Sequence, residues 1–244
     1  MKIDMSESKI ELIVKWLKEQ ISTSGTAGYV LGLSGGVDSA VCAGLIRKAT
    51  SNALALILPI ESDPADITDA QSVASVFNLK YEYIDLTQIY DNLIKILPDS
   101  NRVVQGNLKA RLRMILLYYY ANINNLLVCG TGNKTELLLG YFTKYGDGAS
   151  DVLPLGDLYK YQVREIAGEM GIPERIIKKI PSAGLWLGQT DEAEIGYNYA
   201  EIDKTLDQIA QGKIEGDCAK KLKQMIDRNE HKRKPTKIFS VNKS

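Results

Sequence analysis

The sequence has only three cysteines, which are Cys42, Cys129 and Cys218. They lie far apart along the chain and form no CxxC pair, so they exclude a disulfide framework. A small, odd number of scattered cysteines is typical of a reducing compartment. We therefore expect a cytoplasmic protein.

The sequence also lacks an excess of charge of either sign, because 30 lysines and arginines balance 30 aspartates and glutamates. Proteins that bind duplex nucleic acid usually carry a basic excess. We therefore expect no nucleic-acid partner, and we expect any anionic ligand to be small or to be met by a local basic cluster. The basic tail, HKRKPTK at 231–237, is too short to change that expectation on a neutral protein.

Long apolar runs are missing as well. The stretch Met114–Val128 contains three asparagines, and it is too short to span a bilayer. The N-terminal segment MKIDMSESKIELIVKW has no uninterrupted apolar core of the kind found in signal peptides. We therefore expect no membrane association and no secretion signal.

Short apolar runs alternate with helical patterns along a chain of 244 residues, of which 45% are hydrophobic and 25% charged. Such a composition is globular, and we expect one domain over residues 1–244. The predicted strands are 28–33, 53–59, 81–86 and 126–130. The predicted helices include an N-terminal one opened by a Ser8–Glu11 capping box, and 39–50, 67–77, 87–97, 107–124, 198–211 and 216–230. This order predicts an α/β fold, with a doubly wound parallel sheet and helices on both faces.

The helix predicted over 107–124 carries two apolar stripes. The first consists of Leu108, Leu112, Ile115, Leu116 and Tyr119. The second consists of Met114, Leu117, Tyr118 and Ala121. A helix that is apolar on two faces is buried on two sides, and its own sheet covers only one of them. We therefore expect a homodimer in which the second stripe meets a partner subunit.

Two long segments rich in Gly, Asp, Ser and Pro, 141–156 and 181–197, are predicted loops. Loops of this length in a compact domain are usually functional. Trp186 lies in the second one. It either anchors that loop on the core or belongs to a lid that keeps water from a reactive intermediate.

The most informative motif is SGGVDS at 34–39, between a predicted strand and a predicted helix. Its glycines let backbone N–H groups approach phosphate oxygens, its serines add hydroxyl donors, and the helix N-terminus favours an anion. It is not a Walker A loop, because no GxxxxGK[ST] pattern is present. Asp38 within it repels a phosphate unless a cation lies between them, which predicts Mg²⁺.

SGGVDS resembles the pyrophosphate loop of the ATP pyrophosphatase family. Further motifs are similar to those of bacterial ammonia-dependent NAD synthetases: NLKARLR (107–113), GTGNKTE (130–136), KYGDGASDVLPLGDLYK (144–160), PSAGLWLGQTDEAEIGY (181–197) and HKRKP (231–235). The resemblance implies an adenine nucleotide alpha hydrolase-like fold, and residues 60–70 are its least family-like part. No glutaminase domain accompanies these motifs, which implies the use of free ammonia; a separate glutaminase subunit stays open.

In that family, ATP adenylates the nicotinate carboxylate of nicotinic acid adenine dinucleotide (deamido-NAD), and ammonia then displaces AMP. The resemblance therefore implies a ligase that takes ATP, deamido-NAD and ammonia, and that releases NAD, AMP and pyrophosphate in the last step of NAD biosynthesis.

The resemblance also implies roles for matching residues. Asp38 and Glu136 are the implied Mg²⁺ ligands. The implied ATP-binding residues are Gly32, Leu33, Ser34, Gly35, Gly36, Val37, Asp38, Ser39, Thr131, Lys160 and Ser182. The implied deamido-NAD-binding residues are Arg111, Lys144, Asp151, His231 and Lys232. The implied catalytic residues are Asp147, Asp151 and Lys160.

Three alternatives stay open. Asp147 either holds ammonium close to the acyl-adenylate or is a turn-forming aspartate. The chain could also be a different carboxylate- or carbonyl-adenylating ATP pyrophosphatase. Finally, it could be a non-catalytic nucleotide-binding α/β protein, which would bind ATP without turnover.

Overall fold

The computed structural model describes residues 8–241. Its strands are β1 (Gly28–Gly32), β2 (Ala53–Ile57), β3 (Lys80–Tyr83) and β4 (Leu126–Val128). Its helices are α1 (Lys9–Ser24), α2 (Val37–Ala49), α3 (Pro64–Val76), α4 (Thr87–Ile96), α5 (Arg102–Asn124), α6 (Lys134–Leu139), α7 (Lys160–Glu169), α8 (Glu174–Ile177), α9 (Asp191–Ile195), α10 (Tyr199–Ala210), α11 (Gly216–Arg228) and α12 (Glu230–Arg233).

All strand pairings of the sheet are parallel, in the order β3–β2–β1–β4. The chain therefore leaves β1 toward β2 on one side and later returns to β4 on the other. In open α/β sheets, ligands bind at such a switch in strand order, outside the carboxyl ends of the strands. The segment 34–39 follows β1 directly, so the fold places it in that crevice.

Side chains of successive residues in β1 point to opposite faces of the sheet, as strand geometry requires. Tyr29 and Leu31 join a buried cluster with α1, α2, α3, α7 and α8. Val30 joins a second buried cluster with α4 and α5. Both faces are therefore apolar, which explains the near-continuous apolar strands, and the predicted doubly wound fold is confirmed.

Two helices begin three or more residues earlier than the sequence pattern predicts. The side chain of Asp63 caps α3 by accepting the N–H of Ala65 at 2.8 Å, and the helix starts at Pro64. The side chain of Asn101 caps α5 in the same way, and that helix starts at Arg102. Both caps precede the first residue of the apolar repeat, so the repeat alone places the starts too late. The short helix α9 lies inside the segment 181–197 that was expected to be a loop.

The predicted orientation of the apolar stripes on α5 is wrong. Met114, Leu117 and Ala121, which were expected to meet a partner, pack against the chain's own sheet. Within the predicted range 107–124, the exposed apolar side chains are Ile115 and Tyr119 of the first stripe and Ile123, whereas Leu112 of the first stripe is buried as well. Helical spacing identifies two stripes but does not tell which one faces the sheet.

The C-terminal helices form a third buried cluster beside the sheet. It is centred on Leu139, Ile202, Leu206 and Leu222, from α6, α10 and α11. Arg233 in α12 donates hydrogen bonds to the carbonyl groups of Leu137, Leu138 and Ile226. The basic tail is thereby docked onto α6, close to the end of β4. Within residues 8–241, none of the helices combines the length and the apolar character needed to cross a bilayer.

Candidate active site

The turn between β1 and α2 is built for an anion. Gly35 has a φ of 81°, and a Cβ there would lie 2.3 Å from the carbonyl oxygen of Asp66. The position therefore requires glycine. Ser34 Oγ lies 3.1 Å from Ser39 Oγ and accepts the N–H of Gly36 at 3.3 Å. These contacts fix the turn in front of the N-terminus of α2, where unpaired N–H groups and the helix dipole attract phosphate.

A lysine lies between two carboxylates on the floor of the crevice. Lys160 Nζ is 2.5 Å from Asp38 Oδ2 and 3.4 Å from Glu136 Oε1, and its side chain is only 3% exposed. Burial raises the pKa of Glu136 above its usual value, and the neighbouring Lys160 opposes that rise. Burial disfavours the charged form of Lys160, but Asp38 and Glu136 outweigh it and raise the pKa of Lys160 above its usual value. Lys160 is therefore cationic at neutral pH.

Asn133 orients both of these carboxylates. Its Nδ2 donates to Asp38 Oδ1 at 2.8 Å. Its backbone N–H donates to Glu136 Oε2 at 3.2 Å, while its Oδ1 accepts the N–H of Glu136 at 3.0 Å. Asn133 itself is fully buried. Each carboxylate thus has one oxygen held by Asn133 and the other directed at Lys160.

The donor set of this floor fits Mg²⁺. In the described residues, no three His, Cys, Asp or Glu side chains converge on one point, so the protein offers at most the Asp38 and Glu136 pair. Mg²⁺ prefers hard oxygen ligands and usually keeps waters while bridging one or two carboxylates to substrate phosphates. A pair of carboxylates beside a phosphate-binding turn meets that requirement. The carboxylate oxygens that are directed at Lys160 are already placed to contact a positive charge.

The crevice opens into a cavity of about 460 Å³. Nearly all of the residues predicted to bind ATP line this cavity: Gly32, Leu33, Ser34, Gly36, Val37, Asp38, Ser39, Thr131, Lys160 and Ser182. Gly35 does not line it but shapes the turn. Residues 56–59, at the end of β2, also line it. The structure therefore brings together motifs that lie far apart in the sequence.

Asp147 and Lys232 also reach the cavity. Asp147 Oδ1 accepts the N–H of Thr143 at 3.0 Å, inside the turn that the YGDGAS segment forms. Its side chain is exposed to the cavity, but nearby protein partly desolvates the carboxylate, and this desolvation raises its pKa. Lys232 Nζ donates to the carbonyl groups of Gly140 and Phe142, both at 2.8 Å. Both readings of Asp147 therefore remain compatible with its position.

The other residues predicted to bind deamido-NAD lie outside the cavity. Arg111 donates to the carbonyl oxygen of Lys144 at 3.2 Å, and Lys144 Nζ donates to that of His231 at 2.7 Å. These three residues form a hydrogen-bonded chain at the outer rim, which we call the basic rim. Arg111 and His231 are exposed there. Their charges are therefore available to a ligand that extends beyond the cavity.

Both carboxylate oxygens of Asp151 accept hydrogen bonds from other groups of the protein. Its Oδ2 accepts the N–H of Val128 at 2.7 Å, and its Oδ1 accepts the hydroxyl of Tyr118 at 3.2 Å. Burial, together with Asp151, raises the pKa of Tyr118 to about 12. The two bonds fasten the loop 141–156 to β4 and α5. The predicted catalytic role of Asp151 remains a prediction.

Arg113 and Asp191 are cavity residues that the sequence analysis did not select. Arg113 donates to the carbonyl oxygen of Leu58 at 3.0 Å, and burial lowers its pKa to about 10. Asp191 accepts the hydroxyl of Tyr199 at 2.9 Å, but its other oxygen is buried without a partner among the described residues. The sequence alone does not reveal that either residue is a cavity residue. The only signal is that each belongs to one of the family motifs, 107–113 and 181–197.

Comparisons with known proteins give this site a context. The NAD synthase family matches residues 9–236. A curated NH₃-dependent NAD⁺ synthetase of Archaeoglobus fulgidus is 45% identical, over 96% of this chain and 97% of its own. A second, from Carboxydothermus hydrogenoformans, is also 45% identical, over 93% and 95% of the two chains.

Solved structures agree with these relatives. An NMN synthetase from Francisella tularensis superposes with a TM-score of 0.89 at 40% identity, over 96% of this chain and 97% of that one. An NH₃-dependent NAD synthetase from Campylobacter jejuni gives a TM-score of 0.84 at 35% identity, over 95% and 98%. The adenine nucleotide alpha hydrolase-like fold expected from the sequence is thereby confirmed. With its SGGVDS turn, its carboxylate pair and these relatives, the chain belongs to the NAD synthase family.

Proposed function

We propose that this protein makes NAD from deamido-NAD, ATP and ammonia, and releases AMP and pyrophosphate. The observation that carries the proposal is the floor of the crevice, where Asp38, Glu136 and Lys160 meet beside the N-terminus of α2. This floor lacks the lysine of a Walker A loop, which serves the β- and γ-phosphates. It is instead suited to a reaction at the α-phosphorus with pyrophosphate as the leaving group.

ATP would bind with its phosphates on the turn 34–39 and its base against residues 56–59. Lys160 would balance the charge of the phosphates, because it is cationic and barely exposed. One oxygen of the nicotinate carboxylate then attacks the α-phosphorus, the bond to the bridging oxygen breaks, and pyrophosphate leaves. The product is an acyl-adenylate, whose AMP is a far better leaving group than oxide.

Asp38 and Glu136 would hold Mg²⁺, and Asn133 would keep their oxygens in position. When bound there, the ion neutralises charge on the phosphates and on the pyrophosphate leaving group. The chain's own contribution is a pair of carboxylates oriented in advance. A substitution of either carboxylate should therefore raise the Mg²⁺ concentration that is needed for half-maximal activity.

Asp147 is the candidate for the ammonia site. At neutral pH the nitrogen source is mostly NH₄⁺, which a carboxylate inside the cavity can attract. Loss of a proton then frees the nucleophile next to the acyl-adenylate. Asp147→Asn should raise the KM for ammonium and leave the KM for ATP unchanged. If both constants remained at their wild-type values, Asp147 would be a turn residue only.

The basic rim would bind the part of deamido-NAD that extends out of the cavity. Arg111 of α5 lies there with Lys144 and His231, and the following part of α5 exposes Ile115, Tyr119 and Ile123. We propose that two copies of the chain pair through this exposed face. The dinucleotide would then lie close to the subunit boundary. We also propose that the enzyme works in the cytoplasm.

Product analysis tests the proposed reaction. The protein is incubated with ATP, Mg²⁺, deamido-NAD and ammonium, and NAD, AMP and pyrophosphate are quantified. We expect equal amounts of all three, and none when deamido-NAD is omitted. Formation of ADP and phosphate would contradict the proposal, and so would ATP binding without any turnover.

A second candidate substrate is the mononucleotide, nicotinic acid mononucleotide. The observation that favours it is the similarity to the Francisella tularensis NMN synthetase, at a TM-score of 0.89. The same chemistry at the carboxylate would then give NMN. Competition between equal concentrations of the two substrates decides between them, because the ratio of products equals the ratio of their kcat/KM values. We expect NAD to predominate if the basic rim binds the adenylate half of the dinucleotide.

A further inference from the structure

A second buried lysine lies away from the phosphate site. Lys109 in α5 is 4% exposed. Its Nζ donates to Glu61 Oε2 at 2.7 Å and to the carbonyl oxygen of Leu185 at 3.0 Å, and it lies 4.8 Å from the ring centroid of Tyr90. A buried ammonium group is costly unless it is paired and hydrogen-bonded. Two of its three partners come from loops that border the cavity.

One of these loops, residues 181–190, forms part of the cavity wall through Ser182, Leu185 and Trp186; we call it the lid. The side chain of Gln189 accepts the N–H of Leu185 at 2.9 Å and closes the lid on itself. The other loop follows β2 and contains Glu61. Glu61 has a φ of 49°, an uncommon conformation for this residue type. Its N–H donates to Thr87 Oγ1 at 3.2 Å. Lys109 therefore joins the lid to a loop that is itself held in place.

The lid rests on one face of α5. Arg102 lies 5.1 Å from the ring centroid of Trp186. A Cβ at Gly106 would lie 3.0 Å from Leu185 Cδ1 and 3.2 Å from Trp186 Cζ3. Arg102, Gly106 and Lys109 are spaced by four and three residues, so they share one side of the helix. This side is the docking face for the lid, and Lys109 makes its hydrogen bond to the lid backbone.

The base of the lid is held separately. Lys179, just before the lid, pairs with Asp66 at 2.6 Å and with Asp69 at 2.7 Å. Arg175 also pairs with Asp69, at 2.9 Å. These ion pairs fasten the segment that leads into the lid to α3. Removal of the Lys109 contact therefore frees the tip of the lid without releasing its base.

We propose that Lys109 is a positioning residue that latches the lid over the cavity and so keeps water from the acyl-adenylate. This inference rests on the proposed function. Without the latch, water attacks the acyl carbon, the bond from that carbon to the AMP oxygen breaks, and AMP leaves. The products are the original carboxylic acid and AMP, so ATP is consumed without formation of NAD.

The first test measures the lid without any substrate. The chain has two tryptophans, so a Trp16→Phe background leaves Trp186 as a single fluorescent probe. In that background, Lys109→Met should increase acrylamide quenching of Trp186 about twofold or more. Glu61 is exposed, so the loss of Lys109 as its partner leaves no buried charge. The far-UV circular dichroism of the variant should therefore stay unchanged.

Lys134→Met is the matched control. Lys134 Nζ pairs with Asp157 at 2.9 Å and lies 4.8 Å from the ring centroid of Tyr159, and neither contact involves the lid. It should leave the quenching of Trp186 unchanged. Gly106→Ala is an independent perturbation of the lid, because it favours the helix while crowding Leu185 and Trp186. It should increase quenching as Lys109→Met does.

The second test measures coupling, as the amount of AMP formed per NAD at ammonium concentrations below its KM. The wild type should stay close to one, and both Lys109→Met and Gly106→Ala should raise the ratio several-fold. A purely structural role would lower both products equally and leave the ratio at one, which would overturn the proposal. Wild-type quenching of Trp186 in Lys109→Met would overturn it as well. If the wild type formed neither product, the proposed function would fail, whereas the quenching would still test the latch.

Discussion

The floor and the rim of the cavity are built differently. On the floor, Lys160 is 3% exposed, and each carboxylate around it has an oxygen held by Asn133. On the basic rim, Arg111 and His231 are exposed and are linked only through backbone carbonyl groups. The floor is organised before any ligand arrives, whereas the charges of the rim remain available. From this difference we expect the chemistry to take place on the floor and the rim to select the substrate.

The largest effect should come from the floor. Asp38→Asn and Glu136→Gln should each lower kcat by about 10²–10³-fold, the usual cost of losing one preorganised charged contact at a reacting centre. Steady-state kinetics at several Mg²⁺ concentrations measures it.

The matched control for the floor is Asp157→Asn, which breaks a carboxylate–lysine pair of 2.9 Å whose carboxylate is 97% exposed. Exposed pairs contribute little, so its activity should stay within about twofold of wild type. If the floor variants also kept their activity within about twofold of wild type, the floor would not be the site of the chemistry.

The two sides of α5 offer a second contrast. Leu117 is 6% exposed and Ile115 is 62% exposed. Leu117→Asp should unfold the chain, because it buries an unpaired charge. Ile115→Asp should leave the fold intact and convert a dimer into monomers. Circular dichroism and sedimentation velocity separate the two outcomes. A wild type that sediments as an active monomer at assay concentration would contradict the proposed dimer.

A smaller effect is expected at the basic rim. Arg111→Ala should raise the KM for deamido-NAD about tenfold and leave the KM for ATP unchanged, because a hydrogen bond to a charged group contributes about 1.5 kcal/mol or more. Arg47→Ala is the control, since Arg47 likewise donates to a backbone carbonyl, that of Asn78 at 3.2 Å. A lower kcat with an unchanged KM for deamido-NAD would place Arg111 in the chemistry instead.

The smallest effect concerns stability. Desolvation raises the pKa of Asp147 in the folded protein above its unfolded value. The free energy of unfolding therefore falls as pH rises from the pKa of Asp147 in the unfolded chain to its pKa in the folded protein. Above both pKa values this decrease in stability is complete. Asp147→Asn should remove this loss, so its Tm should exceed that of the wild type at pH 7 and equal it below pH 3.8. A lower Tm at pH 7 would mean that the carboxylate stabilises its turn.

The parts that the sequence predicts well depend on local patterns. The alternation of apolar strands and helices indicates the parallel sheet, and SGGVDS indicates the phosphate turn at the end of β1. The parts that it misses depend on tertiary placement. The rotation of α5 decides whether Leu117 or Ile115 is buried, and no periodicity contains that information. Lys109 and Arg113 look like surface charges in the sequence because their partners are distant loops.

The reaction proposed for this floor begins when the substrate carboxylate attacks the α-phosphorus of ATP. Deamido-NAD labelled with ¹⁸O in its carboxylate tests it directly, with mass spectrometry of the products. Adenylation followed by amide formation should leave one ¹⁸O in the phosphate of each AMP and none in pyrophosphate. Unlabelled AMP, or label in pyrophosphate, would contradict attack of the carboxylate on the α-phosphorus.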